Sequence, residues 1–250
     1  MTRLHIAIIA AMLANVAAWM SGSQILATIA VGALVMIIGL GAALPQLSLF
    51  GTFVCRGDRS RRGVALTFDD GPDARSTPRL LDWLRDEKIA ATFFCIGKNV
   101  ATNRDLTARI SREGHLLGNH TFNHCSTTNI FTVERLREEL VATQAAIQNA
   151  MGVAPQWYRP PMGLSNPRTF LVAQGLGLKV IGWSARGLDT INNDPQKIVA
   201  RIVRRLEPGA IILLHDGNIP ADRLVLTVKL LLANLRERGY EVVRLDKILE

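Results

Sequence analysis

No Asp, Glu, Lys or Arg occurs between residues 4 and 55, although charged residues make up 20% of the 250-residue chain. That absence marks a stretch suited to an apolar environment rather than to a soluble surface. Cysteine is scarce: Cys55, Cys95 and Cys125 are an odd number without a paired spacing. They exclude a disulfide framework and a cysteine-based zinc site. Cys95 lies in the apolar run 91–96 and reads as a buried small residue. Cys125 follows His124 and also reads as structural. Basic residues interleaved with aromatics are missing, so the net charge of +8 does not point to nucleic acid. No internal repeat is visible beyond an alternation of strand-like and helix-like segments.

Within the uncharged stretch, Ile25 to Leu44 supplies 20 largely apolar residues. As a helix this length crosses a hydrocarbon core of about 30 Å. Residues 4–20 form a weaker second span, Ala-rich and carrying His5 and Asn15. Ser21-Gly-Ser-Gln24 between them reads as a tight turn. The pattern predicts a membrane anchor over residues 1–55, built as a two-helix hairpin (4–20 and 25–44). A cleaved signal peptide fits less well, because a second span follows at once and only Arg3 supplies a charged start.

Arg56, Arg59, Arg61 and Arg62 form a basic linker over 56–62. Positive charge within about 20 residues of a span biases that side to the cytoplasm. A hairpin puts Arg3 on the same side, so the main domain is expected to face the cytoplasm; with one crossing it lies outside. Residues 1–62 hold five Arg and one Asp, half of the positive excess, placed to touch anionic membrane lipids.

From Gly63 short apolar runs (64–68, 91–96, 115–118, 157–159, 179–183, 210–215, 241–244) alternate with amphipathic stretches (77–88, 105–113, 133–151, 195–206, 223–238). Gly114, Gly152 and Gly239 stand where helices are expected to stop. The alternation predicts a parallel α/β domain over 63–250, closed up towards a barrel of about seven strands. Catalytic groups gather at the carboxyl ends of strands in such folds. Read in order, those ends carry Asp69-Asp70, His120 and His124, Arg159, Asp189, and His215-Asp216.

Each group has a chemical and a bland reading. Asp69 and Asp70 end an apolar run at Gly71-Pro72, where both can turn towards one cation, or simply cap the strand with an Asx-type turn. His120 and His124, four apart, fall on one face if helical and can then share a metal. With one of the aspartates they make two imidazoles and a carboxylate, which leaves coordination positions open. Thr121 stands where a zincin needs Glu, which excludes that protease class. Arg159, set in a Pro-rich turn, can hold a carboxylate bidentately or lie on the surface. His215 ends an apolar strand; alone it is a core histidine, and beside a metal and a second carboxylate it is a candidate general acid.

Five stretches in order, Thr67-Phe-Asp-Asp-Gly-Pro72, His120-Thr-Phe-Asn-His124, Arg159-Pro-Pro-Met-Gly163, Trp183-Ser-Ala-Arg-Gly-Leu-Asp189 and Leu213-Leu-His-Asp216, resemble the motifs of NodB-type polysaccharide deacetylases, carbohydrate esterase family four. The resemblance spans about residues 63–245. It implies a distorted (β/α) barrel and one divalent metal, commonly zinc, on Asp70, His120 and His124. It also implies Asp69 as general base, Arg159 as its orienting partner, His215 as general acid and Asp189 as the carboxylate paired with it. A backbone N–H near Met162 would bind the oxyanion. Three positions depart from the pattern: Arg186 stands where Asp is common, Thr190 where Trp is common, and Met162 where Tyr is common. With Trp183 nearby, Arg186 is expected to put a cation at the substrate rim.

The implied activity is removal of N-acetyl groups from an N-acetylated polysaccharide, oligosaccharide or lipid-linked sugar at a bacterial inner membrane. An O-acetyl esterase and a catalytically inactive glycan-binding membrane protein are the alternatives.

Overall fold

The computed structural model describes residues 3–60 and 62–250, so Arg61 of the basic linker lies outside the described residues. Helices α1 (Arg3–Met20) and α2 (Gln24–Ala43) are joined by a three-residue turn in which Gly22 adopts φ +68°. Ser23 caps α2 by accepting from the Leu26 N–H. The start of α1 meets the chain just past α2: the Leu4 N–H donates to the Leu49 carbonyl at 3.0 Å, and Arg3 donates to the Leu47 carbonyl at 2.6 Å. The two helices therefore fold back as a hairpin. Their mean hydropathies, 1.5 and 2.5, and their lengths suffice to cross a membrane. Only Ala18 and Gly41 are buried among their described residues.

The strands are β1 (Gly63–Asp69), β2 (Thr92–Cys95), β3 (Leu116–Asn119), β4 (Trp157–Tyr158), β5 (Lys179–Val180), β6 (Ala185–Arg186), β7 (Ala210–His215) and β8 (Glu241–Val242). Seven of them form one parallel sheet in the order β5-β4-β3-β2-β1-β7-β6, and β8 pairs with the start of β1. The helices after the hairpin are α3 (Thr77–Asp86), α4 (Gly97–Thr102), α5 (Arg104–Arg112), α6 (Val133–Met151), α7 (Pro167–Gly175), α8 (Pro195–Val203), α9 (Ala221–Glu237) and α10 (Leu245–Ile248). The sheet curls into a half-barrel with β5 and β6 as its two edges. The segment ahead of β1 reaches into the gap, where Val54 bridges Ile181 and Arg56 bridges Ala210. Packing of the domain thus extends back to Phe53 and Cys55, which lie in a buried cluster with Leu140 and Tyr158.

β1 is buried along its whole length, as a central parallel strand must be. Its alternation sorts the two faces. Val64, Leu66 and Phe68 pack against Leu80 and Leu84 of α3 and Leu231 and Leu235 of α9. Ala65, Thr67 and Asp69 point to the other face, where Ala65 clusters with Phe94, Ile181 and Ile211. β6 is an element the sequence pattern does not reveal, as are α4, α7 and α10. Cys55 and Cys95 are free and buried, and Cys125 is free and half-buried.

Candidate active site

Asp69 is the last residue of β1 and is buried; Asp70 follows in the left-handed region at φ +73°. That twist cancels the strand alternation and lets both carboxylates face one point. Their surroundings differ. Asp69 Oδ1 accepts from Arg159 at 2.6 Å. Arg159 is fully buried at the end of β4, and its other hydrogens go to Thr67 Oγ1 at 2.8 Å and the Gly182 carbonyl at 2.9 Å. Its guanidinium lies 4.0 Å from the centre of the Phe94 ring. A buried cation is tolerable only with such partners, and the pair fixes Asp69 in one rotamer.

Asp70 Oδ1 is buried and accepts no hydrogen bond. It lies 3.5 Å from His120 Nε2 and 3.2 Å from His124 Nε2. His120 Nδ1 donates to the Arg159 carbonyl at 2.6 Å; a carbonyl only accepts, so Nδ1 carries a hydrogen and Nε2 is the nitrogen that faces Asp70. Burial opposes the charge on Asp70, but the imidazoles of His120 and His124 and the charge of His215 outweigh it and hold its pKa at about 2. An ionised carboxylate oxygen without a donor, facing two imidazole nitrogens, is a ligand set for a divalent cation. The three donor atoms lie within 4.8 Å of one another.

The helical placement of the two histidines is corrected here. His120 to Cys125 form an irregular loop, with Thr121 at φ +63° and His124 at φ +52°. Glu139 of α6 holds that loop: it accepts from the Phe122 N–H at 2.9 Å, the Asn123 N–H at 2.8 Å and Asn123 Nδ2 at 2.7 Å. Asn119 adds an Oδ1 acceptor for the Thr121 N–H at 3.0 Å. Neither residue stands out as a functional position, yet Glu139 was detectable. It is a carboxylate on the apolar stripe Leu136, Leu140, Thr143, Ile147, where a charge needs a partner.

His215 ends β7, directly opposite Asp69 in the register of β1 and β7. Asp189 accepts from both the His215 N–H at 2.8 Å and Nδ1 at 3.0 Å. Burial works against the imidazolium, but Asp189 and the charges of Asp69 and Asp70 push its pKa up to about 9. Below that value the ring is a cation whose Nε2–H is not used by Asp189. Asp216 lies beneath, fully buried, with Oδ2 accepting from Thr77 at 2.5 Å; desolvation is the chief reason its pKa rises to about 7. Gly71 is required there, since a Cβ would come within 2.2 Å of Asp216 Oδ2.

Beside Asp70 and His124 opens a polar cavity of about 380 Å³, lined by Asn99, Asn103, Asn123 and Lys98 among others. The remaining candidates do not line that cavity. Met162 is exposed on the turn Pro161–Gly163 at φ +58°. Trp183 is buried behind Gly163, and Arg186 stacks over Trp183 at 5.6 Å and lines a different cavity.

A family model described as polysaccharide deacetylase matches residues 56–181. A peptidoglycan-N-acetylglucosamine deacetylase of Bacillus cereus is 35% identical over 188 residues, covering 74% of this chain and 87% of the relative. The crystal structure of a peptidoglycan N-acetylglucosamine deacetylase bound to a benzamide compound superposes with a TM-score of 0.75, with 28% identity over 79% of this chain and 92% of that one. A CE4 family pseudoenzyme from Bacillus anthracis superposes at a TM-score of 0.74, with 25% identity over 80% of this chain and 69% of that one. The matched stretch carries Asp69, Asp70, His120, His124 and Arg159, the superposed folds agree with it, and the chain belongs to the polysaccharide deacetylase family.

Proposed function

We propose that the chain is a metal-dependent N-deacetylase acting on an N-acetylated sugar. One observation carries this reading: adjacent carboxylates have been given opposite environments, Asp69 tied to a buried arginine and Asp70 left without a donor between two imidazole nitrogens. Fold alone does not separate an enzyme from a pseudoenzyme, since both kinds of relative superpose. The residues favour the enzyme, because each metal-binding and proton-transfer position of the five motifs is filled.

Asp70, His120 and His124 would hold the cation, which when bound makes water more acidic and a carbonyl more electrophilic. Arg159 occupies Asp69 Oδ1, so Oδ2 is the atom that takes the proton of the attacking water. The Met162 N–H is the candidate donor to the oxyanion. His215 Nε2 gives its proton to the nitrogen as the carbon–nitrogen bond breaks, which yields acetate and a free amine. An amide needs that acid because an amine anion is a very poor leaving group.

The α1–α2 hairpin is proposed to cross a bacterial inner membrane, with the catalytic domain on the cytoplasmic side. The linker arginines and the meeting of Leu4 with Leu49 support this, and a lipid-linked sugar or nascent glycan is then a fitting substrate. The test is acetate release from N-acetylglucosamine oligomers, with metal content measured beside it. Wild type should release acetate, and His120→Ala should lose both metal and turnover. Full metal occupancy in that variant removes His120 as a ligand; acetate released only from acetylated xylan makes the enzyme an esterase. Alkaline phosphatase fused after Glu250 should be inactive, and an active fusion would put the domain outside.

A further inference from the structure

A second cavity, about 680 Å³, lies beside the edge strand β6 and the chain leaving α2. Arg56, Arg186, Arg201, Arg204 and Arg205 line it, against the single carboxylate of Glu207. Glu207 is engaged by Arg56 at 2.6 Å and by Arg59 at 3.1 Å. Among the described residues the other four arginines have no carboxylate partner. Arg201 is in the last turn of α8, where a cation suits the helix dipole. That does not account for Arg186, which comes from β6 and faces the same hollow.

Two further features point to a ligand. Ser184 Oγ, also on the cavity lining, is buried and has no hydrogen-bond partner. Leu44 and Gln46, just past α2, form the cavity's near wall, and Gln46 Nε2 donates to the Trp183 carbonyl at 3.2 Å. If α2 spans a bilayer, this wall lies at headgroup depth.

We propose that the cavity binds a phosphate-bearing anion, a phosphate or diphosphate that is either free or the headgroup of a lipid. Guanidinium forks match phosphate oxygens in pairs, and an anion would relieve the repulsion among four unpaired cations. Ser184 Oγ supplies a neutral donor to the same group. The site is separate from the catalytic carboxylates, so its occupancy does not require turnover.

The experiment is calorimetric titration of the full chain in neutral detergent, first with inorganic diphosphate and then with short-chain phosphatidic acid. Arg201→Gln/Arg204→Gln/Arg205→Gln should weaken binding at least about tenfold. Arg112→Gln/Lys229→Gln/Arg238→Gln removes the same charge from exposed positions elsewhere and should change it by less than about twofold. Binding of diphosphate assigns the site to free or soluble phosphate groups; binding of phosphatidic acid alone assigns it to a lipid headgroup. Equal losses in the two triple variants, or no binding of either probe by wild type, overturn the proposal. Asp69→Asn should bind as wild type does, so failure of the deacetylase reading and failure of this one are told apart.

Discussion

Trp19 and Arg159 lie at opposite extremes of this molecule. Trp19, apolar, is 83% exposed on α1, and Arg159, a full charge, is 0% exposed at the end of β4. Around Arg159 every cost of burial is met inside the chain, by Asp69, Thr67 and two backbone carbonyls. Trp19, and Ile25, Ile29 and Val35 of α2, remain largely uncovered by the described residues. The buried ion pair is satisfied within the chain, whereas the hairpin presents apolar surface suited to a partner or solvent outside it.

The largest effect is expected at Asp69, the carboxylate proposed to accept the proton. Asp69→Asn should lower turnover by about 10²–10⁴-fold while metal content stays at the wild-type level. Turnover within a few fold of wild type would mean that the buried pair is structural. Arg159→Met should cost about 3–5 kcal/mol of stability, because it strands the Asp69 charge in the interior. Thermal unfolding reads this, and adding Asp69→Asn to the same chain should restore part of the loss. A Tm unchanged by Arg159→Met would show that water already reaches Asp69.

On the hairpin side, Val35→Asp should cost about 2.5–3.5 kcal/mol of insertion, seen as a smaller fraction of the chain resisting carbonate extraction. An unchanged fraction would make α2 a surface helix and dissolve the contrast. The smallest effect is a shift in pH. His215 must be protonated to act as an acid, so kcat/KM should fall as pH rises through its raised value of about 9. Asp189→Asn removes the hydrogen bond and charge that raise it. The alkaline limb should then move down, towards the ordinary histidine value of about 6.5. A limb that stays put would assign it to another group.

Much of this was legible where local pattern and tertiary need coincide. β7 and α6 occupy the segments their apolar periodicity predicts, and Asp69, Asp70, Arg159, Asp189 and His215 all stand at or just beyond strand ends. Legibility failed where close approach replaces pattern. α4 starts at Gly97, whose Cβ would strike the Phe122 ring at 2.5 Å, so a residue that weakens a helix was placed there by packing. β6 has two residues, too few for an alternation. α7 had a readable start, Asn166 before Pro167 with a reciprocal bond to Thr169, but no long stripe after it. The histidines mislead in a different way: a spacing of four suggests a helix, and a loop pinned by Glu139 reaches the same proximity.

The pairing of Asp69 with His215 across β1 and β7 has a consequence for how the enzyme fails. Asp69 ends β1 and His215 ends β7, so the two cannot separate without breaking the ladder that holds the core. That ladder opens only with the sheet, whereas the loop from His120 to Cys125 can open on its own. Warming should therefore release a cation held by Asp70, His120 and His124 reversibly before it separates Asp69 from His215. An enzyme inactivated that way would recover on adding back the ion, until the sheet itself gives way.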